Sequence, residues 1–442
     1  MKQLRDLPRV LPVALFSGAF ATTSALISPP AQASFHDSPK AVLDEAWQIV
    51  NREYVDTSFN QVDWLAVRQQ LLSRNYTSTQ EAYNALRQEL ERLGDPYTRF
   101  LDPEQYRALT SQTSGELSGV GVRLRVDADS KALMVVEPIA NSPASEAGIQ
   151  AGDRILAIDG KSTQGMTVEA ASRLIQGEIG TQITLKIERT GQSPFDLPLT
   201  RARIELTNVN YALRQENGAR IGYIRLTEFS GHAPEQMRKA MEDLLKQNAE
   251  GFVLDLRGNP GGLLQASIEI SRLWLDSGSI VRTVNRTGAS EEIKANQTAI
   301  TELPLAVLVD GGSASSSEIL TGALMDNERA VVVGSQTFGK ALVQSVHPLS
   351  DGSGLAVTIA HYYTPGGTDI SQRGITPDVE VNLTEGQRRT LVTNQALIGT
   401  TNDPQYLQAV NALEPTIALN RRNPVQSLLQ LSVGQEQPSR SN

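Results

Sequence analysis

The chain has 442 residues, is 40% hydrophobic, and carries 49 acidic against 40 basic residues for a formal charge of -9. That length predicts two or three domains instead of one core, and the interspersed charge leaves no basic face for nucleic acid. The absence of cysteine rules out disulfides, thiolate metal sites and a thiol nucleophile.

In chain order, the first segment reads as an export signal. Lys2, Arg5 and Arg9 form a basic stretch, Val10 to Ile27 is apolar or small, and Ala31-Gln32-Ala33 is a small-x-small cleavage pattern before Ser34. Pro12, Gly18 and the shortness of the apolar run weigh against a retained anchor. No later run approaches the roughly 18 apolar residues of a spanning helix. Removal of residues 1–33 is expected to leave no stable membrane span, in a periplasm or thylakoid lumen.

Residues 34–115 read as a small helical unit. Val42, Ala46, Ile49 and Val50, then Trp64, Val67 and Leu71, then Ala82, Leu86, Leu90 and Leu93 recur at helical spacing. Ser78 with Glu81 opens the last of these helices, and Gly94-Asp95-Pro96 ends it. Residues 116–203 change to short strands, at Val120–Leu124, Leu133–Val136, Asp153–Ile158 and Ile183–Glu188, with an amphipathic helix over Val168–Gln176. This pattern predicts a compact, partly open barrel or sandwich. From 204 to 383 strands and helices alternate, the signature of an α/β layer architecture. Residues 384–442 form a tail rich in Gln, Asn, Thr and Ser with two weak helical patterns, and its last dozen residues read as disordered.

The chemistry concentrates between Gly312 and Gln344. Ser313, Ser315, Ser316 and Ser317 open a helix, and Ser315-x-x-Glu318 is a capping box, so any of these serines can serve simply to satisfy helix amides. A nucleophile at the same place gains the helix dipole and free N–H groups for an oxyanion. The histidines (His36, His232, His347, His361) lie beside no serine elbow, so a hydrolase built from this inventory needs a lysine base. Lys340 lies between Phe338 and Leu342, apolar neighbours that would desolvate it and favour the neutral amine. The pair works only if the fold returns that turn to the helix start.

Two other patterns compete. Gly334 to Lys340 matches the G-x-x-x-x-G-K phosphate loop, but Ala341 stands where Ser or Thr must hold magnesium, and the next segment is β-like. Asp255-Leu256-Arg257-Gly258-Asn259-Pro260-Gly261-Gly262 is either turn chemistry or a set of bare amides for an oxyanion. No metal-ligand spacing such as HExxH occurs.

Taken with Gly94 to Thr98, Gly119 to Val122, Ser142 to Asp153 and Tyr363 to Asp378, these motifs resemble the carboxyl-terminal processing peptidases of cyanobacteria and chloroplast lumen, from about Val42 to Val381. The resemblance implies a crotonase-like α/β protease core with an inserted PDZ domain at 116–203 and an N-terminal helical domain. It implies Ser315 as nucleophile, Lys340 as general base and Gln344 as the residue orienting that lysine. Gly261 and the Ser316 backbone would form the oxyanion hole, with Gly262 the alternative, and Asp326 would give structural support. Gly119, Val120, Gly121 and Val122 would hold the carboxylate of a protein substrate with an unfolded apolar C-terminus. No cofactor is implied. The implied activity is removal of C-terminal extensions, including that of the photosystem II reaction-centre precursor. Ala341 stands where many members have Gly, Ser316 where Ala is usual, and Gln176 where some members carry an Arg that couples the PDZ domain to the active site. The rival expectation is a catalytically silent PDZ adaptor, against which the intact Ser315, Lys340 and Gln344 set argues.

Overall fold

The computed structural model describes residues 38–422, so the export signal and the end of the tail lie outside the described residues. Helices α1 (Pro39–Glu53), α2 (Trp64–Ser73) and α3 (Thr79–Glu91) form where the apolar spacing placed them. Ser38, Asp63 and Ser78 cap them by accepting backbone N–H groups of the first turn. Their shared core of Trp47, Trp64, Leu71 and Leu86 is completed by Phe100, Leu349, Leu355 and Val357 from elsewhere in the chain. The helices are therefore packed onto the later part of the molecule. β1 (Arg99–Leu101) makes the stitch, and α4 (Pro103–Ser114) leads on to Gly115 in the left-handed conformation.

The second unit holds β2 (Glu116–Gly119), β3 (Val122–Val126), β4 (Leu133–Pro138), α5 (Pro143–Glu146), β5 (Arg154–Ile158) and β6 (Lys161–Ser162). It continues with α6 (Val168–Ile175), β7 (Gln182–Glu188), β8 (Phe195–Thr200) and β9 (Ala202–Glu205). β3, β4, β5, β7 and β8 are neighbours in one sheet, whose Val135, Ile155, Leu185 and Ile187 share a core with Ala171 and Ile175 of α6. β2 and β9 pair with each other, so the chain enters and leaves through a two-stranded antiparallel ribbon. The strand expected over Val120–Leu124 is interrupted. Gly121 has φ +81°, and a Cβ there would lie 2.2 Å from Ser142 Cβ, so only glycine makes this turn.

The third unit comprises β10 (Val209–Glu216), β11 (Ala219–Leu226), α7 (Ala233–Lys246), β12 (Gly251–Asp255), α8 (Leu264–Trp274), β13 (Ser279–Asn285) and β14 (Ser290–Lys294). Then follow β15 (Leu305–Val309), α9 (Ser316–Asp326), β16 (Val331–Gly334), β17 (Leu342–Pro348), β18 (Gly354–Tyr363), β19 (Val379–Glu380), α10 (Glu385–Thr393) and α11 (Pro404–Arg422). One sheet runs β10-β11-β12-β15-β16-β19, parallel from β11 onward. Its strands alternate strictly. Phe252, Leu254 and Val307 join a core with Met237, Leu273 and Leu320, while Val253, Ala306 and Leu308 face Tyr406, Val410 and Leu413. Burial on both faces explains why these strands read as unbroken apolar runs. A second sheet centres on β18, which pairs with β1 and β13, and with β17.

The stretch read as a polar tail does more than trail. Tyr406, Ala409, Val410, Leu413 and Ile417 of α11 cover the second face of the parallel sheet. Their spacing of three and four is helical, and the intervening Gln, Asn and Thr obscured it.

Candidate active site

Three loops meet at the carboxyl ends of the adjacent parallel strands β12, β15 and β16, the crevice in which open α/β sheets place ligands. The first loop is Leu256–Leu263, the second Asp310–Ser315, the third Ser335–Ala341. Ser315 sits on a strained turn into α9, with φ +54° and ψ -113°. A non-glycine residue in such a conformation persists only where its surroundings hold it there.

The serine cluster separates by hydrogen bonding. Ser313 Oγ donates to the Leu256 carbonyl (2.8 Å), Ser316 Oγ to that of Gly262 (3.0 Å), and Ser317 Oγ to that of Asn259 (2.9 Å). All three are buried and tie the second loop to the first. Ser315 is half-buried, and its hydroxyl donates to no acceptor among the described residues. Glu318 does what the capping box predicts, accepting the Ser315 N–H at 2.9 Å. It does more. The same fully buried carboxylate accepts from the Lys340 N–H (2.9 Å), the Gly339 N–H (2.7 Å) and Thr337 Oγ1 (2.6 Å). On the other side, the buried Tyr362 hydroxyl lies within hydrogen-bond reach of the Lys340 and Ser315 carbonyls. The return of the lysine turn to the helix start, required from the sequence, is thus made through Glu318 and Tyr362.

Lys340 is half-buried, and its Nζ lies 4.4 Å from the centroid of the Tyr97 ring. Burial lowers its pKa, and the charge of Arg99 adds to this, while Asp95 and Glu318 work in the opposite direction. The source of the burial differs from expectation. Phe338 is 55% exposed, and the apolar wall is Tyr97, contributed by the loop that follows the N-terminal helices. No hydrogen bond joins Lys340 Nζ to Ser315 Oγ here, a gap common before substrate completes a site. Gln344, on β17, directs its Nε2 to Thr358 Oγ1 at 3.4 Å.

The glycine loop packs directly on the serine turn. A Cβ at Gly261 would lie 2.9 Å from Ser315 Cβ and 3.0 Å from the Ser316 nitrogen, so glycine is needed for this approach. Its own N–H, however, already donates to Asn259 Oδ1 (2.9 Å). The amides of Gly262 and Ser316 have no such partner among the described residues. Asn259 is fully buried and anchors the loop by accepting the Ala314 N–H (3.0 Å) on its carbonyl. Asp326 accepts the Gly366 N–H at 2.7 Å.

In the second unit, Gly119, Val120, Gly121 and Val122 line a narrow groove of about 70 Å³ together with Leu124, Ile175 and Gln176. The Val120 carbonyl accepts from Ala144 and the Gly121 carbonyl from Ile139, both at 2.8 Å. A trans peptide sets its N–H opposite its C=O, so the Gly121 and Val122 amides point away from these two bonds.

A serine-type peptidase core carrying a PDZ unit is the class these features define. Residues 220–381 match peptidase family S41 and residues 134–189 the PDZ domain. The chain is 42% identical over 396 residues to the carboxyl-terminal-processing protease of Synechocystis sp., covering 89% of this chain and 91% of that protein. It is 40% identical over 384 residues to carboxyl-terminal-processing peptidase 2, chloroplastic, of Arabidopsis thaliana, covering 84% and 74%. Among solved structures, the photosystem II D1 C-terminal processing protease superposes with a TM-score of 0.52 at 36% identity, covering 84% of this chain and 99% of that one. The chain belongs to the S41 family, among the carboxyl-terminal-processing peptidases. The α/β core with PDZ domain and N-terminal helices is that of the resemblance drawn from its motifs.

Proposed function

We propose that the protein trims C-terminal extensions from exported or lumenal proteins through an acyl-enzyme, with Ser315 as nucleophile and Lys340 as general base. The observation that carries this is the serine cluster, in which Ser315 alone keeps its hydroxyl proton clear of a described protein acceptor. Glu318 and Tyr362 hold its backbone beside that of Lys340.

In this reading the apolar tail of an unfolded substrate adds to the PDZ groove, and its carboxylate meets the Gly121 and Val122 amides. The Lys340 side chain swings from Tyr97 to Ser315 and, as a neutral amine, takes the hydroxyl proton while Oγ attacks the scissile carbonyl. The oxyanion meets the Ser316 amide and that of Gly262. Gly261, the donor first expected, has its N–H on Asn259 and contributes close approach. The ammonium of Lys340 then protonates the departing amine, leaving an ester on Ser315. Water, deprotonated by the same amine, hydrolyses that ester. The compartment is a periplasm or thylakoid lumen, and the similarity to the D1 processing protease makes the photosystem II precursor extension the substrate to try first.

The deciding experiment compares wild type and Ser315→Ala on a peptide with an apolar C-terminus, offered as free acid and as amide. Cleavage by wild type, none by Ser315→Ala with the peptide still bound, and a higher KM for the amide are expected. Binding without cleavage by wild type would establish the adaptor reading instead.

A further inference from the structure

Resting on the Ser315–Lys340 reading, we propose that Asp95, Tyr97 and Thr358 are positioning residues for the lysine base, so that the loop after the N-terminal helices forms part of the protease site. The strand β1 that follows this loop is paired with β18, bringing residues 95–98 against Thr358 and the Lys340 side chain. Asp95 is the hub. Its Oδ2 accepts from Thr98 Oγ1 (2.7 Å) and Thr358 Oγ1 (2.6 Å), and its Oδ1 accepts the Tyr97 N–H (2.9 Å). Thr98 returns the contact by accepting the Thr358 N–H at 3.0 Å.

Donor bookkeeping then dictates how Gln344 must face. A threonine hydroxyl has one proton, and Thr358 gives it to Asp95, which as a carboxylate can only accept. Toward Gln344, Thr358 Oγ1 is therefore an acceptor, and the amide presents its NH₂ group to it, at 3.4 Å. The Gln344 carbonyl oxygen is left free to accept from an ammonium or amine. The Asp95–Thr358 pair thus selects the amide orientation that can guide Lys340, and a flipped amide would set two acceptors against each other. Tyr97 completes the support from the other side, with its ring face 4.4 Å from Nζ.

The charged groups acting on Lys340 are Asp95 from this loop, Arg99 from β1 and Glu318 from α9. Asp95 favours the ammonium and holds the side chain in place without promoting its deprotonation, whereas Tyr97 both attracts the ammonium with its ring face and adds to the burial that, with Arg99, lowers the pKa.

The test is kcat and KM against pH for Thr358→Val, Thr358→Ser, Asp95→Asn, Tyr97→Leu and Tyr97→Phe, with Ser315→Ala as the reference for the underlying reading. Thr358→Val is expected to lower kcat roughly ten- to a hundredfold at nearly unchanged KM, with Thr358→Ser restoring most of it. Asp95→Asn should move the rising limb of the kcat/KM profile to lower pH, because the carboxylate no longer stabilises the ammonium. Tyr97→Phe should recover the rate lost in Tyr97→Leu. If Ser315→Ala is inactive while Thr358→Val matches Thr358→Ser and the Asp95→Asn limb stays put, the positioning role is wrong and the dyad stands. A lower melting temperature with an unmoved limb and equal Thr358 variants overturns it equally. An active Ser315→Ala removes the dyad reading itself.

Discussion

As the proposed general base, Lys340 must be neutral to act, and the balance of groups around it sets the pH at which that happens. Its pKa lies below the ordinary lysine value because burial and Arg99 outweigh Asp95 and Glu318. The ammonium predominates below that depressed pKa and the amine above it. Activity should accordingly rise with pH through the depressed pKa and level off, which a kcat/KM profile on a defined peptide measures. Lys340→Arg should be inactive throughout, since a guanidinium stays protonated across this range. Residual activity with the wild-type profile would assign the base elsewhere. The local sequence identified Ser315 and Lys340 only as candidates. Ser313, Ser316 and Ser317 are chemically equivalent to Ser315 in one dimension, and only the carbonyls their hydroxyls donate to remove them from contention.

At the scale of elements, the site depends on how closely one loop lies against another. Gly261 has φ +105°, and an added Cβ would meet the Ala314 carbonyl oxygen at 2.8 Å as well as Ser315. Gly261→Ala should therefore push the glycine loop off the serine turn and reduce kcat by about a hundredfold, the effect of losing one oxyanion donor. Gly258 has φ +68° with nothing within 4 Å of an added Cβ, so Gly258→Ala should cost only the left-handed backbone penalty of roughly 1–2 kcal/mol. Comparing the two in thermal melts and steady-state kinetics separates crowding at the site from backbone strain. Most helices and central strands were legible from spacing, because each buries a regular stripe. The break at Gly119–Val122 was not, because the φ of Gly121 answers to Ser142, twenty-one residues away.

At the scale of the molecule, the loops of the candidate site are held by segments distant in sequence. The Arg257 side chain, within the glycine loop, is buried between Asp255 of β12 and Asp403 at the start of α11, with bonds of 2.6 Å and 2.7 Å. Asp255 also accepts from Tyr223 at 2.7 Å. Asp403→Ala leaves the Arg257–Asp255 pair intact but removes the charged hydrogen bonds from Arg257 to Asp403, at a cost of about 1–3 kcal/mol. Asp403→Ala is expected to lose stability in that range by urea denaturation and to lower kcat through the displaced loop; an unchanged midpoint and rate would show that α11 does not support the site. By itself the sequence determined the α/β class, the order of its units and a short set of reactive candidates, because periodicity and glycine chemistry are local properties. The tertiary structure decided which serine is free, that Tyr97 walls the lysine where Phe338 was expected to, and that α11 closes the sheet. Each of these depends on burial and on hydrogen-bond partners that lie far along the chain, and no local pattern encodes them.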